Sequence, residues 1–302
     1  MDLRIPFEQA AGLLPFSLRQ LVLAVPRTEQ MIAEEFRLRV GCPVSITLPE
    51  GEVFLPESPI VAAKDLYTVL EIATKASAHT ALECVRQGYV TVQGGHRLGL
   101  CGSIVSADGN IHNMRHLSSL NIRIAKQITG ISNPLLRDIR AQGRMPSVLV
   151  LAPPGAGKTT LLRDLIRGIS SGTGGAPLRV GVADERGELG AVWNGAPQFD
   201  LGPHTDILDG CGKAEGLMML LRGMNPQVLA VDEITAPEDI DALHTASGCG
   251  VSLLATAHGR SMDDLSRRPL YEMLLRGKIF QRLLWIEKDN GVRKYHLEEL
   301  AC

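Results

Sequence analysis

The second half of the chain alternates two hydrophobic patterns. Short apolar runs, separated by stretches with apolar residues at helical spacing, predict four buried strands, at residues 148–151, 178–183, 227–231 and 251–255. Repeated strand–crossover–strand units are typical of a parallel sheet covered by helices on both faces. We therefore predict a three-layer α/β domain. A hairpin should follow it, with strands at 280–288 and 292–297 flanking the turn Asp289-Asn290-Gly291.

The first 130 residues have shorter and more mixed patterns. Helical spacing predicts helices at 18–25, 28–36 and 64–78. Alternation of polar and apolar residues predicts strands at 37–40, 43–48, 89–92, 99–105 and 121–126. Because turn sequences such as Asp108-Gly109-Asn110 separate these short strands, we expect an antiparallel meander with helix 64–78 packed on it.

A boundary between two domains is predicted between residues 130 and 146. Asn133-Pro134 predicts the start of a helix that ends near Ala141, and residues 143–146 read as a hinge. We predict an N-terminal mixed α+β domain at 1–130, a linker at 131–146 and the α/β domain at 147–302. A chain of 302 residues is long enough for two domains with separate cores.

A glycine-rich turn follows the first strand of the α/β domain, with the sequence APPGAGKTT at 152–160. Small residues leave room for backbone N–H groups to surround a phosphate chain, which Lys158 can reach, while Thr159 is placed to hold Mg²⁺. The helix that begins at Lys158 adds its positive dipole end. The motif departs from its usual form at Ala152, where a glycine is expected. The predicted nucleotide-binding residues are Pro154, Gly155, Ala156, Gly157, Lys158, Thr159 and Thr160.

Reactive residues also follow the other three strands of this domain. Since parallel strands end at one edge of a sheet, we expect Asp184-Glu185, Asp232-Glu233 and Thr256-Ala257-His258 to meet the phosphate loop there. Asp232 is predicted to bind Mg²⁺ directly or through water. Either Glu233 or Glu185 polarises the attacking water, and the sequence leaves this choice open. His258 is either a sensor of the γ-phosphate or a hydrogen-bonded core residue.

An arginine delivered from a neighbouring chain would neutralise charge on the γ-phosphate, an effect worth about 10³ to 10⁵ in rate. The candidates are Arg123, Arg115 and Arg97 in the first domain and Arg222 before the strand at 227–231. His112 and His116 are four residues apart, but no cysteine or carboxylate cluster accompanies them, so we interpret them as surface residues rather than metal ligands.

Composition narrows the classes of function. Aromatic residues make up 4% of the chain, so aliphatic side chains must fill the cores, as in covered parallel sheets. The net charge of -2 provides no whole-chain attraction for nucleic acid. Six cysteines without a C-x-x-C pair indicate reduced cytosolic thiols. With no apolar run of 18 residues, we expect neither a spanning helix nor a secretory leader, so that any membrane role is peripheral.

Six segments carry a resemblance to a known family. They are GYVTVQGGHRLGLCGSIV (88–105), SSLNIRIAK (118–126), APPGAGKTTLLRD (152–164), VADERGELGA (182–191), TDILDGCGKAEGLMMLLRGMNPQVLAVDEI (205–234) and LLATAHG (253–259). In these segments the chain resembles the stage III sporulation protein AA ATPases, small relatives of the ring-forming secretion ATPases. Many ATPases share the phosphate loop, whereas the Gly-Gly-His-Arg, Asn-Ile-Arg and Thr-Ala-His-Gly segments are more specific.

The resemblance implies a RecA-like P-loop ATPase domain preceded by a smaller mixed α+β domain, with ATP and Mg²⁺ as cofactors. It implies a homo-oligomeric ring, expected to be a hexamer. Asp184-Glu185 looks like the acidic box of secretion ATPases, residues 256–258 look like their histidine box, and Arg123 looks like the first-domain arginine that meets nucleotide. Pro203-His204 stands where an arginine would be expected before Thr205-Asp206.

The family also implies a cellular role and leaves competing hypotheses. The implied role is the mother-cell motor of a channel complex between mother cell and forespore, cytoplasmic, peripheral to the septal membrane and partnered by membrane proteins. An alternative is an ATP-binding assembly scaffold of that complex with little turnover. A third hypothesis is a nucleic-acid-stimulated ATPase, which the near-neutral charge and the lack of a basic-aromatic stripe disfavour.

Overall fold

The chain forms two compact units. The computed structural model describes residues 5–55, 58–77, 88–107, 110–259, 261–289 and 292–300. The first unit comprises Met1–Lys126 together with Trp193–Gln198, and the second comprises Gln127–Val192 together with Phe199–Cys302. The division falls just before residue 130. No sequence signal indicates that Trp193–Gln198 groups with the first unit.

The first unit is a mixed α+β domain built on a six-stranded sheet. Its described helices are α1 (Pro6–Ala11), α2 (Phe16–Leu23), α3 (Arg27–Ile32) and α4 (Ala63–Thr74). Its strands are β1 (Glu35–Arg39), β2 (Ser45–Leu48), β3 (Gly51–Phe54), β4 (Tyr89–Thr91), β5 (Arg97–Ala107) and β6 (Asn110–Arg123). The order is β3-β2-β1-β6-β5-β4, and every neighbouring pair is antiparallel.

Tertiary pairing changes two elements of this unit from their predicted form. The helix predicted at 28–36 ends at Ile32, because Phe36 lies in β1, opposite Ile46 of β2 and Ile122 of β6. Phe36 is fully buried and packs edge to face against Phe7, with 4.8 Å between the ring centroids. The strand predicted at 121–126 is the end of the longer β6, and residues 124–126 lie beyond it. Asp108 and Gly109 of the predicted turn lie outside the described residues.

The second unit is built on a seven-stranded sheet. Its described helices are α5 (Asn133–Ile139), α6 (Lys158–Ser170), α7 (Lys213–Gly223), α8 (Pro237–Gly248), α9 (Met262–Ser266) and α10 (Pro269–Arg276). Its strands are β7 (Val148–Ala152), β8 (Val180–Asp184), β9 (Thr205–Asp209), β10 (Val228–Val231), β11 (Ser252–His258), β12 (Arg282–Asp289) and β13 (Val292–Glu299). The order is β13-β12-β7-β11-β10-β8-β9, with β13 antiparallel to β12 and the other neighbours parallel.

Alternation along the central strands produces the three predicted layers. Val148 and Val150 of β7 join a core with the leucines and isoleucines of α6, whereas Leu149 and Leu151 join a second core with α7, α8 and α10. Successive strand residues point to opposite faces, so a strand that is apolar throughout fills both cores. The predicted three-layer α/β domain is confirmed. The predicted hairpin strands correspond to β12 and β13; Asn290 and Gly291 of its turn are not among the described residues.

The segment at 131–146, which the sequence assigns to a linker, packs within the second unit. Leu136 and Ile139 of α5 belong to the same core as α6. The buried Asp164 carboxylate of α6 accepts hydrogen bonds from the backbone N–H groups of Gly130 (2.9 Å) and Ser132 (2.8 Å) and from the Ser132 hydroxyl (2.8 Å). These contacts tie the start of the second unit to its central helix.

Three smaller predictions concern the membrane, the histidines and the thiols. No described helix combines the length and hydropathy needed to cross a bilayer. His116 is exposed, and the side chain of His112 lies outside the described set. The described free cysteines are Cys42, Cys101, Cys211 and Cys249.

Candidate nucleotide-binding site

The glycine-rich loop connects the buried strand β7 to α6, as the motif requires. Gly155 (φ +71°) and Gly157 (φ +101°) have left-handed backbone conformations that side chains disfavour. Ala152 lies in β7 opposite His258 of β11 and does not have a positive φ. A strand position tolerates alanine, so the missing glycine leaves the turn intact.

The order of the parallel strands places four chain segments side by side at one edge. Strands β7, β11, β10 and β8 are neighbours in that order, and their registers align Leu151 with Ala257 and Val231 with both Ala255 and Ala183. The residues that follow or end these strands therefore lie at the edge from which the phosphate loop emerges.

Thr159, Asp232 and Thr256 form a connected hydrogen-bond network. The Thr159 hydroxyl donates to Asp232 Oδ2 at 2.8 Å, and the Thr256 hydroxyl donates to Asp232 Oδ1 at 2.5 Å. The fully buried Thr256 hydroxyl also accepts the backbone N–H of Glu233 at 2.8 Å. The carboxylate is thus fixed by one hydroxyl on each of its oxygens.

Lys158, His258 and Glu233 form a second chain of contacts. Lys158 Nζ lies 2.8 Å from His258 Nδ1, and His258 Nε2 lies 2.9 Å from Glu233 Oε1. An ammonium group has only donors, so Nδ1 accepts and the proton of the neutral ring sits on Nε2, from which it is donated to the carboxylate. The imidazole therefore connects the loop lysine to the acidic residue at the end of β10.

Burial makes the charged form of the Lys158 side chain less favourable. Its side chain is 7% exposed, and Nζ also donates to the carbonyl oxygens of Ala152 (3.2 Å) and Pro153 (3.3 Å). Burial lowers the pKa of Lys158, while the charges of Asp232 and Glu233 oppose that change. A phosphate group would add the negative charge that this desolvated ammonium favours.

Glu233 has an unusual backbone conformation for its residue type. Its φ is +46°, a left-handed value that costs a residue with a side chain about 1–3 kcal/mol. The Thr256 hydroxyl on its N–H and the bond from Ile234 N–H to Thr256 O (3.0 Å) hold this turn. Arg186 NH1 lies 3.6 Å from the Glu233 carboxylate.

The two acidic residues at the end of β8, Asp184 and Glu185, bind different partners. Asp184 is buried, and its carboxylate accepts the backbone N–H groups of residues 188–190 at 2.8–3.1 Å, which orders the loop after β8. Burial raises the pKa of Asp184 despite those hydrogen bonds. Glu185 pairs with Lys213 Nζ at 2.5 Å, and the same ammonium reaches the Thr235 hydroxyl at 3.1 Å. Among the described residues, neither carboxylate forms a hydrogen bond or an ion pair with Asp232 or Lys158, although the charge of Asp232 also raises the pKa of Asp184.

The donor set at Thr159 and Asp232 suits Mg²⁺. A hydroxyl and a carboxylate are hard oxygen ligands, and Mg²⁺ typically takes one or two protein ligands together with substrate phosphates. Within the described residues no cluster of three or more His, Cys, Asp or Glu side chains forms an all-protein metal cage. The loop glycines and Lys158 complete a set that fits a magnesium-bound polyphosphate.

Arg293, which no sequence motif indicates, reaches the phosphate loop from β13. Its Nε donates to the Ala156 carbonyl oxygen at 2.9 Å, from 137 positions along the chain, and its guanidinium lies beside Gly157. No local motif signals such a contact, because it depends on the hairpin folding back over the loop.

The candidate arginines occupy different parts of the molecule. Arg97, Arg115 and Arg123 belong to the first unit, where the Arg97 guanidinium stacks on Tyr89 at 3.8 Å and Arg123 is exposed at the end of β6. Arg222 lies near the carboxyl end of α7 and donates to the Met218 carbonyl oxygen. Contacts in trans involve a second chain, so the role of Arg123 stays a prediction.

His204, which stands where an arginine was expected, binds the end of α6. Its backbone N–H donates to the Ser170 hydroxyl at 2.7 Å, and its Nδ1 lies 2.8 Å from the Ser170 carbonyl oxygen. The carbonyl can only accept, so Nδ1 carries the proton. In this chain the position anchors β9 to α6.

Comparisons with known proteins agree with this architecture. The family described as sporulation stage III, protein AA matches residues 7–295. Stage III sporulation protein AA of Bacillus subtilis (strain 168) is 39% identical over 284 residues, which cover 94% of this chain and 92% of that protein. Among solved structures, the pilus retraction motor PilT with bound ADP superposes with a TM-score of 0.63 at 17% identity, covering 91% of this chain and 82% of that one.

A second solved structure, the ATPase DotB of Legionella pneumophila, gives a TM-score of 0.56 at 14% identity and covers 89% of this chain and 76% of its own. These similarities show the fold. The predicted fold, a RecA-like parallel α/β domain preceded by a smaller mixed α+β domain, is confirmed.

Proposed function

The chain belongs to the sporulation stage III, protein AA family, and from that premise we propose that it is a Mg²⁺-dependent ATPase that converts ATP and water to ADP and phosphate. The observation that carries this proposal is the hydrogen bond between Thr159 and Asp232, beside the buried Lys158 at the mouth of the phosphate loop. These side chains come from elements 73 residues apart and combine Mg²⁺ ligands with a phosphate-binding cation.

The loop residues would bind the phosphate chain of ATP. Backbone N–H groups of residues 155–160 and the ammonium of Lys158 supply the positive field, and the N-terminus of α6 adds to it. Thr159 and Asp232 would hold Mg²⁺, which when bound neutralises charge on the phosphate oxygens. Arg293 fixes the Ala156 carbonyl and so limits the conformations of the loop.

Glu233 is the better-placed of the two candidate bases. It follows Asp232 directly, its backbone is held by Thr256, and its carboxylate accepts from His258, which contacts Lys158. A carboxylate in that position can orient a water molecule and accept its proton. Glu185 is already neutralised by Lys213, so we assign it to supporting the site, and His258 to linking the base with the phosphate-binding lysine.

The cellular part of the proposal rests on the family. We propose a homo-oligomeric ring, a hexamer, in which Arg123 reaches the nucleotide of a neighbouring chain. The ring would act in the mother-cell cytoplasm, peripheral to the forespore septum, as the motor of a channel complex of membrane proteins. The proposed mechanism does not involve nucleic acid. The competing proposal is an ATP-binding scaffold of the same complex with little turnover.

Spore formation separates the motor from the scaffold. A spore-forming host that depends on this chain would receive Glu233→Gln, Glu185→Gln, or the control Glu238→Gln, an exposed residue in the first turn of α8. A motor predicts that Glu233→Gln blocks spore formation while the control does not, because glutamine keeps the shape and removes the base. Normal spore formation with both Glu233→Gln and Glu185→Gln would refute the motor and leave the scaffold.

A further inference from the structure

A second cavity lies at the edge of the same sheet that is opposite to the phosphate loop. It has a volume of about 810 Å³ and is lined by residues at the amino ends of β7, β8, β10 and β11 and the carboxyl ends of α5, α7 and α8. Since these four strands are parallel, their amino ends point away from Lys158 and Asp232. The cavity is therefore separate from the candidate nucleotide site.

Four arginines line this cavity, which we call the arginine cavity: Arg140, Arg144, Arg179 and Arg222. None of its lining residues, all of which the structure describes, is an aspartate or a glutamate. Across the described part of the chain, none of the four guanidiniums takes part in an ion pair. Four positive charges thus share one concave surface without a counter-ion.

Backbone carbonyls satisfy some of the guanidinium hydrogen bonds but cancel none of the charge. Arg179 Nε donates to Asn225 O at 2.8 Å and Arg222 Nε to Met218 O at 3.0 Å, and Arg140 donates to two carbonyl oxygens at 2.9 and 2.5 Å. Among the described residues, the terminal nitrogens of Arg179 and Arg222 have no protein partner. These are the paired N–H groups that bind a carboxylate or a phosphate bidentately.

The local charge contrasts with that of the rest of the protein. The chain carries a net charge of -2, so the residues outside the arginine cavity sum to about -6 (-2 minus +4). Arg140 is buried, and this burial lowers the pKa of its guanidinium because the charged form loses contact with water. A bound anion would place negative charge beside the four guanidiniums and so offset the cost of burying the Arg140 charge.

We propose that the arginine cavity binds a small molecule with two or more phosphate groups on an apolar or ring-containing body. The guanidinium forks match phosphate oxygens, and apolar side chains of Leu178, Leu221 and Val251 line the wall beside them. The volume falls in the range of about 300–1,000 Å³ that is typical of small-molecule sites. This site uses no residue of the phosphate loop and does not depend on the ATPase proposal.

A cysteine in the arginine cavity provides a direct reporter. Cys249 is exposed and lines the cavity, whereas Cys101 is exposed in the first unit. Full-length protein would be treated with iodoacetamide, with and without inorganic tripolyphosphate and in the absence of divalent metal, and each site would be followed by mass spectrometry. We expect tripolyphosphate to slow modification of Cys249 at least about threefold and to leave Cys101 unchanged.

Matched variants connect this protection to the arginines. The double variant Arg179→Ala/Arg222→Ala should raise the tripolyphosphate concentration for half-protection by about tenfold or more, because each charge-assisted pair contributes substantially. The double lysine variant at these positions keeps the charge. Its tripolyphosphate concentration for half-protection should lie between those of the wild type and the double alanine variant. Arg137→Ala removes an exposed arginine of α5 outside the cavity and should match the wild type. Lys158→Ala should also retain protection.

Four results would overturn the proposal. The first is that tripolyphosphate does not slow the modification of Cys249. The second is that it slows this modification equally in the wild type, the double alanine variant and the double lysine variant. A hexaglutamate peptide that protects at lower concentration than tripolyphosphate would assign the cavity to an acidic protein segment. Phosphatidylglycerol vesicles that protect where tripolyphosphate does not would assign it to a membrane surface. Unfolding curves for each variant separate lost binding from lost folding.

Discussion

At the scale of single residues, the candidate nucleotide site depends on Thr256, a threonine for which the sequence indicates a position at the site but no role of its own. Thr256 donates to Asp232 and accepts from the N–H of Glu233, so one buried hydroxyl orients both acidic residues. It also holds Glu233 in its left-handed conformation. The strain at Glu233 is maintained by surrounding contacts, which is typical of functional positions.

Replacing Thr256 with valine should lower the stability of the protein and weaken its binding of Mg²⁺. Thr256→Val keeps the shape but leaves the Glu233 N–H and one oxygen of Asp232 without their partner, which should lower the free energy of unfolding by about 1–3 kcal/mol. The Mg²⁺ concentration for half-maximal hydrolysis should rise. Chemical denaturation and a magnesium titration of activity measure the two effects. Thr68→Val, at an exposed hydroxyl of α4, should change neither, and equal behaviour of both variants would contradict the role of Thr256.

The sequence predicts the candidate nucleotide site unevenly, for physical reasons. Lys158, Thr159 and Asp232 are predictable because a short motif and a strand end determine their positions. The different environments of Asp184 and Glu185 are not, since they depend on the path of the loop at 188–190 and on Lys213. Nonlocal contacts of this kind have no periodic signature.

At the scale of elements, hydrophobic pattern predicts the strands that are buried on both faces. Strands β7 and β10 are continuous apolar runs inside the sheet, and β11 contains the apolar run 253–255. Strand β9, with the sequence TDILD, was missed because it is half-buried at the sheet edge and has polar residues at both ends. For a related reason the sequence predicts only the end of the long β6, since much of the rest of its length is polar and exposed.

The attachment of α5 to α6 through Asp164 makes a further prediction at this scale. Asp164 is fully buried and accepts from Gly130, Ser132 and Arg167. Asp164→Ala leaves these donors and the Arg167 charge without a partner, and should lower the free energy of unfolding by about 3 kcal/mol or more. Denaturant titration followed by circular dichroism measures this loss. The exposed Asp138→Ala on α5 serves as the control, and equal stabilities of the two variants would contradict the argument.

At the scale of the whole molecule, a buried histidine should make stability depend on pH. Burial lowers the pKa of His96 from 6.5 to about 4. Below pH 6.5 His96 binds a proton in the unfolded chain, whereas in the folded chain it stays neutral until the pH approaches 4. The contribution of His96 to the free energy of unfolding is therefore complete above pH 6.5 and decreases as the pH falls toward 4. The loss by pH 4.5 should be about 2–3 kcal/mol.

Comparing His96→Gln with the wild type isolates this contribution from that of other titrating groups. The difference in free energy of unfolding between pH 7 and pH 4.5 should be smaller in the variant by about 2–3 kcal/mol. His116→Gln, at an exposed position, should retain the wild-type difference. An unchanged pH dependence in His96→Gln would show that the buried ring is not the source.

A second testable property of the whole molecule is its assembly into a ring. Native mass measurement should detect a ring with a non-hydrolysable ATP analogue and Mg²⁺. Arg123→Ala should lower turnover while leaving nucleotide binding nearly intact, because the side chain would act on a neighbouring chain. A strict monomer with and without the analogue would remove the basis for catalysis in trans.

The proposed function places ATP hydrolysis at the carboxyl edge of the second unit's sheet, with Glu233 as the base. The most direct measurement is phosphate release by Glu233→Gln and by the control Glu238→Gln, with ATP affinity determined on the same samples. Glu233→Gln should bind ATP within about threefold of the wild type and release phosphate about 100-fold or more slowly, whereas Glu238→Gln should match the wild type in both ATP affinity and phosphate release. Phosphate release by Glu233→Gln at the wild-type rate would contradict the proposed function.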